Sequence, residues 1–324
     1  MIKRLAQWTI ALLLFVPTLG GCASNTDTQL ADEDGKLNVV TSFYPLYDFA
    51  REIGGDRINA VNLTPTGVEP HDWTPKSQDM VNISRANMFI YQGAGFEGWT
   101  SEVLDGIDTS KMVLTEASRG IELLEVDPHD SHEAEQGSGE EHGHEYEHDD
   151  TGYDPHTWLS PKSALRMADN ILNGLKLADP DHASEYERNY AELADRLQSL
   201  DRQYEERLSS AARKEIVVSH QAFGYLARDY GLTQMPIMGI SAEAEPTAQK
   251  LKEISGFVQA HQVRYIFTEQ LVSDALATTL AEDLGVTTLT LHTLEGLTDE
   301  ELNNGENYIS IMEKNLETLM TALQ

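Results

Sequence analysis

The chain contains eleven histidines and a single cysteine. Zinc-type metal chemistry must therefore rest on imidazole and carboxylate, not on thiolate. Three histidines stand where a ligand would be useful. His71 lies in Gly67-Val68-Glu69-Pro70-His71-Asp72-Trp73, after one strand-like run and before a helix. His156 lies in Asp154-Pro155-His156-Thr157-Trp158-Leu159-Ser160-Pro161, where Pro155 stiffens its backbone. His220 directly follows the run Ile216-Val217-Val218-Ser219. Ligands bind at the C-terminal mouths of strands in open α/β sheets. A lone histidine there is more often a hydrogen-bonded structural residue. Three in equivalent positions point to a metal site, because imidazole suits zinc and three His plus a carboxylate complete a tetrahedron. His182 and His261 read as exposed helix-end residues. His292 stands close to the candidate site with no role assigned to it.

The elements that must position these residues alternate. Strands are expected at Leu37–Thr41, Arg57–Leu63, Met88–Gln92, Met112–Thr115, Glu215–Ser219, Val263–Thr268 and Val286–Leu291. Helices are expected at Pro45–Ile53, Ser77–Ser84, from Pro161 onward, and at Thr247–Ala260, Asp274–Leu284 and Tyr308–Leu323. Such alternation favours parallel βα units. In the middle, Tyr186, Tyr190, Leu193, Leu197, Leu200, Tyr204 and Leu208 recur every three or four residues. That spacing predicts one buried stripe on a helix over about 181–212, roughly 45–50 Å long. The layout is lobe, strut, lobe. At about 150 residues per domain, 324 residues accommodate it.

Two segments break the pattern. Residues 125–150 hold eleven acids, no Lys or Arg, and His129, His132, His142, His144 and His148. This low-complexity loop is expected to be disordered and to bind further metal weakly. At the other break, Lys3 and Arg4 precede an apolar stretch too short and interrupted for a membrane span, which needs about 20 apolar residues. Residues 1–21 read as a signal peptide. The only cysteine, Cys22, closes Leu19-Gly20-Gly21-Cys22, where lipid modification requires one. Residues 22–36 are polar and acidic and read as a tether.

The motifs run in order through residues 37–300. They are Thr41-Ser42-Phe43-Tyr44-Pro45-Leu46, Glu69-Pro70-His71-Asp72-Trp73, Gly93-Ala94-Gly95-Phe96-Glu97-Gly98-Trp99, the stretches around His156 and His220, and Leu294-Glu295-Gly296-Leu297-Thr298. Together they resemble the solute-binding lipoproteins of zinc and manganese ABC importers, the metal-binding cluster A-I family. Within it they resemble the zinc branch of ZnuA-like and AdcA-like proteins. The resemblance implies an α/β fold of two βα lobes with parallel sheets, residues 37–160 and 214–324. A helical linker, 161–213, carries the long rigid helix, and the metal sits in the interlobe cleft. Carried over by motif, the ligands are His71, His156, His220 and Glu295, with Glu69 or a water as alternatives for the fourth. The cargo implied is Zn2+, with Mn2+ disfavoured because a third imidazole stands where that branch has a carboxylate. The partners implied are an ABC permease and its ATPase. The protein would be a monomer held by its lipid on the outer face of the membrane of a Gram-positive bacterium.

Other classes fit less well. A net charge of −31 repels phosphate backbones, which argues against nucleic acid. No HExxH pattern, nucleophile elbow or phosphate loop marks an enzyme. Nothing resembles a matrix-binding module of a surface adhesin.

Overall fold

The structure, a computed structural model, describes residues 35–126, 152–242 and 246–324. Cys22 and the five loop histidines, His129, His132, His142, His144 and His148, lie outside the described residues. Two parallel four-stranded sheets carry the fold. The first runs β2-β1-β3-β4, from β1 (Leu37–Thr41), β2 (Ile58–Asn62), β3 (Met88–Tyr91) and β4 (Val113–Glu116). The second runs β6-β5-β7-β8, from β5 (Glu215–Val218), β6 (Thr233–Pro236), β7 (Tyr265–Thr268) and β8 (Thr287–Thr290). The central strands β1, β3, β5 and β7 are apolar and largely buried, as parallel strands covered on both faces must be.

Helices α1 (Tyr44–Gly54), α2 (Ser77–Arg85) and α3 (Thr100–Asp105) connect strands of the first sheet. After it come α4 (Pro161–Ala178) and the strut α5 (Ala183–Ser209). The second sheet carries α6 (Gly224–Tyr230), α7 (Ala248–His261) and α8 (Ala275–Leu284), and the chain closes with α9 (Asp299–Asn303) and α10 (Tyr308–Leu323).

The strut is shorter than its stripe predicts. A 3-10 turn at Pro180–His182 takes the first turn, and 27 residues remain, about 40 Å. The stripe itself is buried: Tyr186, Leu193, Leu197, Leu200, Tyr204 and Leu208. It packs on α1 and α4 from the first half and on α6 and α10 from the second. One apolar cluster therefore runs through both lobes, from Val39 and Phe43 through Leu197 to Phe223 and Leu316. The Tyr204 hydroxyl donates to the Met312 carbonyl of α10 at 2.7 Å, satisfying a polar group the packing buries.

Four elements go beyond the sequence reading. Helices α3, α6 and α9 have five to seven residues, too few to show a 3.6-residue period. Strand β6 (Thr-Gln-Met-Pro) lacks apolar alternation and ends in Pro236, which is tolerated because β6 is an edge. The segment expected to be irregular from residue 125 is ordered at its base. Glu125 bridges Tyr153 antiparallel, and the Val126 N–H donates to the Gly152 carbonyl.

Gly174 shows how tightly α4 lies on the first sheet. A Cβ there would sit 2.3 Å from both Met88 Cε and Thr115 Oγ1. Alanine in a helix interior is ordinarily worth up to about 1 kcal/mol over glycine. Overpacking a buried contact costs about 1–3 kcal/mol. Gly174→Ala is therefore expected to destabilise, with the thermal midpoint falling by up to about 4 °C. A raised midpoint in scanning calorimetry would show that the helix has room to move.

Candidate metal centre

His71, His156, His220 and Glu295 converge between the two sheets. His71 stands on the loop from β2 to α2, and His156 on the connection from β4 to α4, immediately before a 3-10 turn at Thr157–Leu159. His220 follows β5, and Glu295 lies on the loop after β8. The four ligand atoms all lie within 4.8 Å of one another. His156 Nε2 is 3.0 Å from His71 Nε2 and 3.3 Å from His220 Nε2. Glu295 Oε1 is 3.4 Å from His71 Nε2, 3.4 Å from His156 Nε2 and 3.6 Å from His220 Nε2. Ligand atoms about 2.0–2.1 Å from a tetrahedral zinc stand about 3.3–3.4 Å apart. The five observed separations bracket that value.

Each imidazole needs its inward nitrogen selected. Asp154 Oδ1 takes both the backbone N–H of His156, at 2.9 Å, and its Nδ1, at 2.8 Å. Glu269 receives the His220 backbone N–H at 3.1 Å on Oε1 and its Nδ1 at 2.7 Å on Oε2. A carboxylate on Nδ1 leaves the Nε2 lone pair facing inward and raises its basicity. Gln92, after β3, donates to the Pro155 carbonyl and the Thr157 hydroxyl and so fixes the His156 turn. Phe96 packs edge-on to His71 with centroids 4.8 Å apart, and Trp158 lies 5.1 Å from His156. These rings form a low-dielectric wall.

Glu295 is fully buried. Its Oε2 accepts from the Thr293 hydroxyl at 2.7 Å, whereas Oε1 has no hydrogen-bond donor among the described residues. Burial alone would raise its pKa. The three imidazoles hold it well below the usual carboxylate range instead. Burial works against charge on His220, but Glu269 outweighs it, and Glu295 adds to it, so that the His220 pKa stands well above its ordinary value. For His156 the bonds to Asp154 and Glu295 likewise overcome burial and raise its pKa. Burial lowers the pKa of His71, which has no such anchor among the described residues.

Glu69, the alternative fourth ligand, is outside this cluster. Its Oε1 accepts from the His71 N–H at 3.2 Å, and burial followed by the charge of Glu295 pushes its pKa up to about 8. His182 bonds Asp179 through Nδ1 at 2.7 Å, and His261 lies 3.5 Å from Glu215. Asp154 and Glu269 are absent from the sequence-level site. Asp154 carries a signal, two residues before His156. Glu269 follows β7 at a strand mouth, but only the fold brings it to a histidine 49 residues away.

The model of the family described as zinc-uptake complex component A, periplasmic, matches residues 39–322. The zinc-binding lipoprotein AdcA of Streptococcus pneumoniae (strain ATCC BAA-255 / R6) is 42% identical over 286 residues, covering 88% of this chain. This chain spans only 56% of AdcA, about half its length. The high-affinity zinc uptake system protein ZnuA of Bacillus subtilis (strain 168) is 38% identical over 309 residues, covering 94% of this chain and 93% of ZnuA. The crystal structure of the Zn(II)-bound ZnuA-like domain of Streptococcus pneumoniae AdcA superposes with a TM-score of 0.74 at 39% identity, covering 89% of this chain and 99% of that one. With the family model matched across both sheets and the strut between them, the chain belongs to the ZnuA family of zinc-uptake components.

Proposed function

We propose that this protein captures Zn2+ outside the cytoplasm and delivers it to an ABC permease, powered by an ATPase on the inner face. The observation that carries the reading is Glu295 Oε1, a buried carboxylate oxygen with no hydrogen-bond donor among the described residues and three imidazole nitrogens 3.4–3.6 Å away. Three nitrogens and one oxygen, in a cluster close to tetrahedral spacing, favour zinc over manganese. A site closed by four protein ligands suits cargo, because a catalytic zinc keeps a position open for water.

The ion enters past His71. Its side chain is 11% exposed, whereas those of His156 and Glu295 are fully buried and that of His220 is 1% exposed. One apolar cluster and one strut run through both lobes. Release to the permease then involves loop or modest lobe movement, not a wide hinge. The N-terminal segments fit the same role, with residues 1–21 as signal, Cys22 as the lipidated first residue and 22–36 as a tether to the membrane of a Gram-positive cell. The histidines of residues 125–150 hold additional zinc weakly, concentrated there by the acids around them.

The test is zinc titration of residues 23–324 by calorimetry. One tight site is expected. His220→Ala should weaken it by at least about 100-fold, more than the loss of an outer partner costs. Deleting residues 129–148 should leave it intact and remove only weak sites. A tight site that disappears with the loop and ignores His220→Ala would overturn the reading.

Proton competition gives a second test. Zinc binds deprotonated imidazole. The pKa values of His156 and His220 are raised, so protons compete already above the ordinary value near 6.5. His71, with its pKa lowered, adds nothing there. Apparent zinc affinity measured by chelator competition should therefore fall steadily from pH 8 to pH 6, by up to about tenfold per pH unit for each proton displaced. Equal affinity at the two pH values would contradict this protonation scheme.

A further inference from the structure

His292 is outside the proposed ligand set, yet it is buried and stands three residues before Glu295. Its Nδ1 accepts a hydrogen bond from the Leu294 backbone N–H at 2.8 Å. Its Nε2 faces Glu301 Oε1 at 3.3 Å. Its own main chain is held at both ends by Asn315 of α10. The N–H donates to Asn315 Oδ1 at 2.8 Å, and the carbonyl accepts from Nδ2 at 2.8 Å. Glu301 is fixed in turn as the third residue of the Thr298 capping box at the start of α9.

The bond to Leu294 matters because of the conformation that residue adopts. Leu294 has φ +58, the left-handed region, which a residue with a branched side chain adopts only under constraint. The next residue is Glu295. A turn closed by a side-chain acceptor on the N–H two residues on is ordinarily made by Asn or Asp. Here an imidazole makes it, buried and anchored to two helices. The rest of the loop is pinned as well, with the Thr293 carbonyl accepting from the Trp158 indole at 2.7 Å.

We propose that His292 is a positioning residue for the metal site, its Nδ1 holding Leu294 in the left-handed turn that aims Glu295 Oε1 at the three imidazoles. The proposal rests on the zinc-capture reading, with Glu295 as fourth ligand. His292→Phe keeps a buried ring and removes the acceptor. His292→Asn restores an acceptor able to close the same turn.

The experiment measures zinc affinity by chelator competition and the visible spectrum of the Co2+-loaded protein, with metal-free melting curves alongside. The wild type, His292→Phe, His292→Asn and Glu295→Gln are compared. Loss of an outer partner of a ligand costs about 10–100-fold in affinity. His292→Phe should lose that much and shift the cobalt spectrum in the direction Glu295→Gln shifts it. His292→Asn should recover most of both. Where His292→Phe does not fold, His292→Leu carries the same comparison. The proposal is overturned if the ring-only variant binds within about twofold of wild type with an unchanged spectrum. It is also overturned if His292→Asn binds no better than His292→Phe at equal metal-free stability. If wild type itself binds no zinc, or Glu295→Gln binds as wild type does, the reading of the site fails instead.

Discussion

Everything in this molecule converges on one electrostatic problem. A carboxylate oxygen, Glu295 Oε1, is buried with no hydrogen-bond donor among the described residues, in the company of two further buried carboxylates, Asp154 and Glu269. Burying an unpaired charge is among the costliest arrangements a fold can hold. The three imidazoles around Oε1 relieve that cost, either by carrying protons or by sharing a cation with it. Protons and metal thus compete for the same nitrogens. The outer carboxylates make the site selective in orientation, since each ties down one Nδ1 and presents Nε2. Cation affinity and pH sensitivity are therefore one property seen from two sides.

That arrangement requires both halves of the chain at fixed separation. Two of the proposed ligands come from connections of the first sheet and two from connections of the second. A mismatch of an ångström would spoil a tetrahedron whose edges are about 3.3 Å. The strut answers this requirement. Its stripe is buried against helices of both halves, and the Tyr204 hydroxyl ties it to α10. Hydrogen bonds also cross the cleft near the site itself, from the Trp158 indole to Thr293 and from the Gly67 N–H to the Leu297 carbonyl. Rigidity is placed where the ligand geometry needs it. The small solvent access lies on the side of His71, the imidazole without a carboxylate anchor among the described residues.

Much of this was legible before the fold. The strut announces itself because seven apolar residues hold one period over more than twenty positions. The three histidines stand out because each abuts a strand or a proline turn. Glu295 does not stand out by itself, and only the resemblance to metal-binding lipoproteins singles it out. Asp154 and Glu269 are invisible as a pair, since acids are plentiful in this chain and only the fold decides which meet an imidazole. Strand β6 is invisible for another reason: four residues ending in proline carry no pattern, and their pairing with β5 creates the strand. His292 sits between these cases. Its proximity to the site is legible, but its bond to the Leu294 N–H belongs to the backbone turn.

X-ray absorption spectroscopy at the zinc edge on the loaded protein addresses the central claim most directly. Four light ligands at about 2.0–2.1 Å, three of them with the outer-shell scattering of imidazole, are predicted. A shell of six oxygens, or one with fewer than three imidazoles, would contradict the assignment of His71, His156, His220 and Glu295 as the ligands.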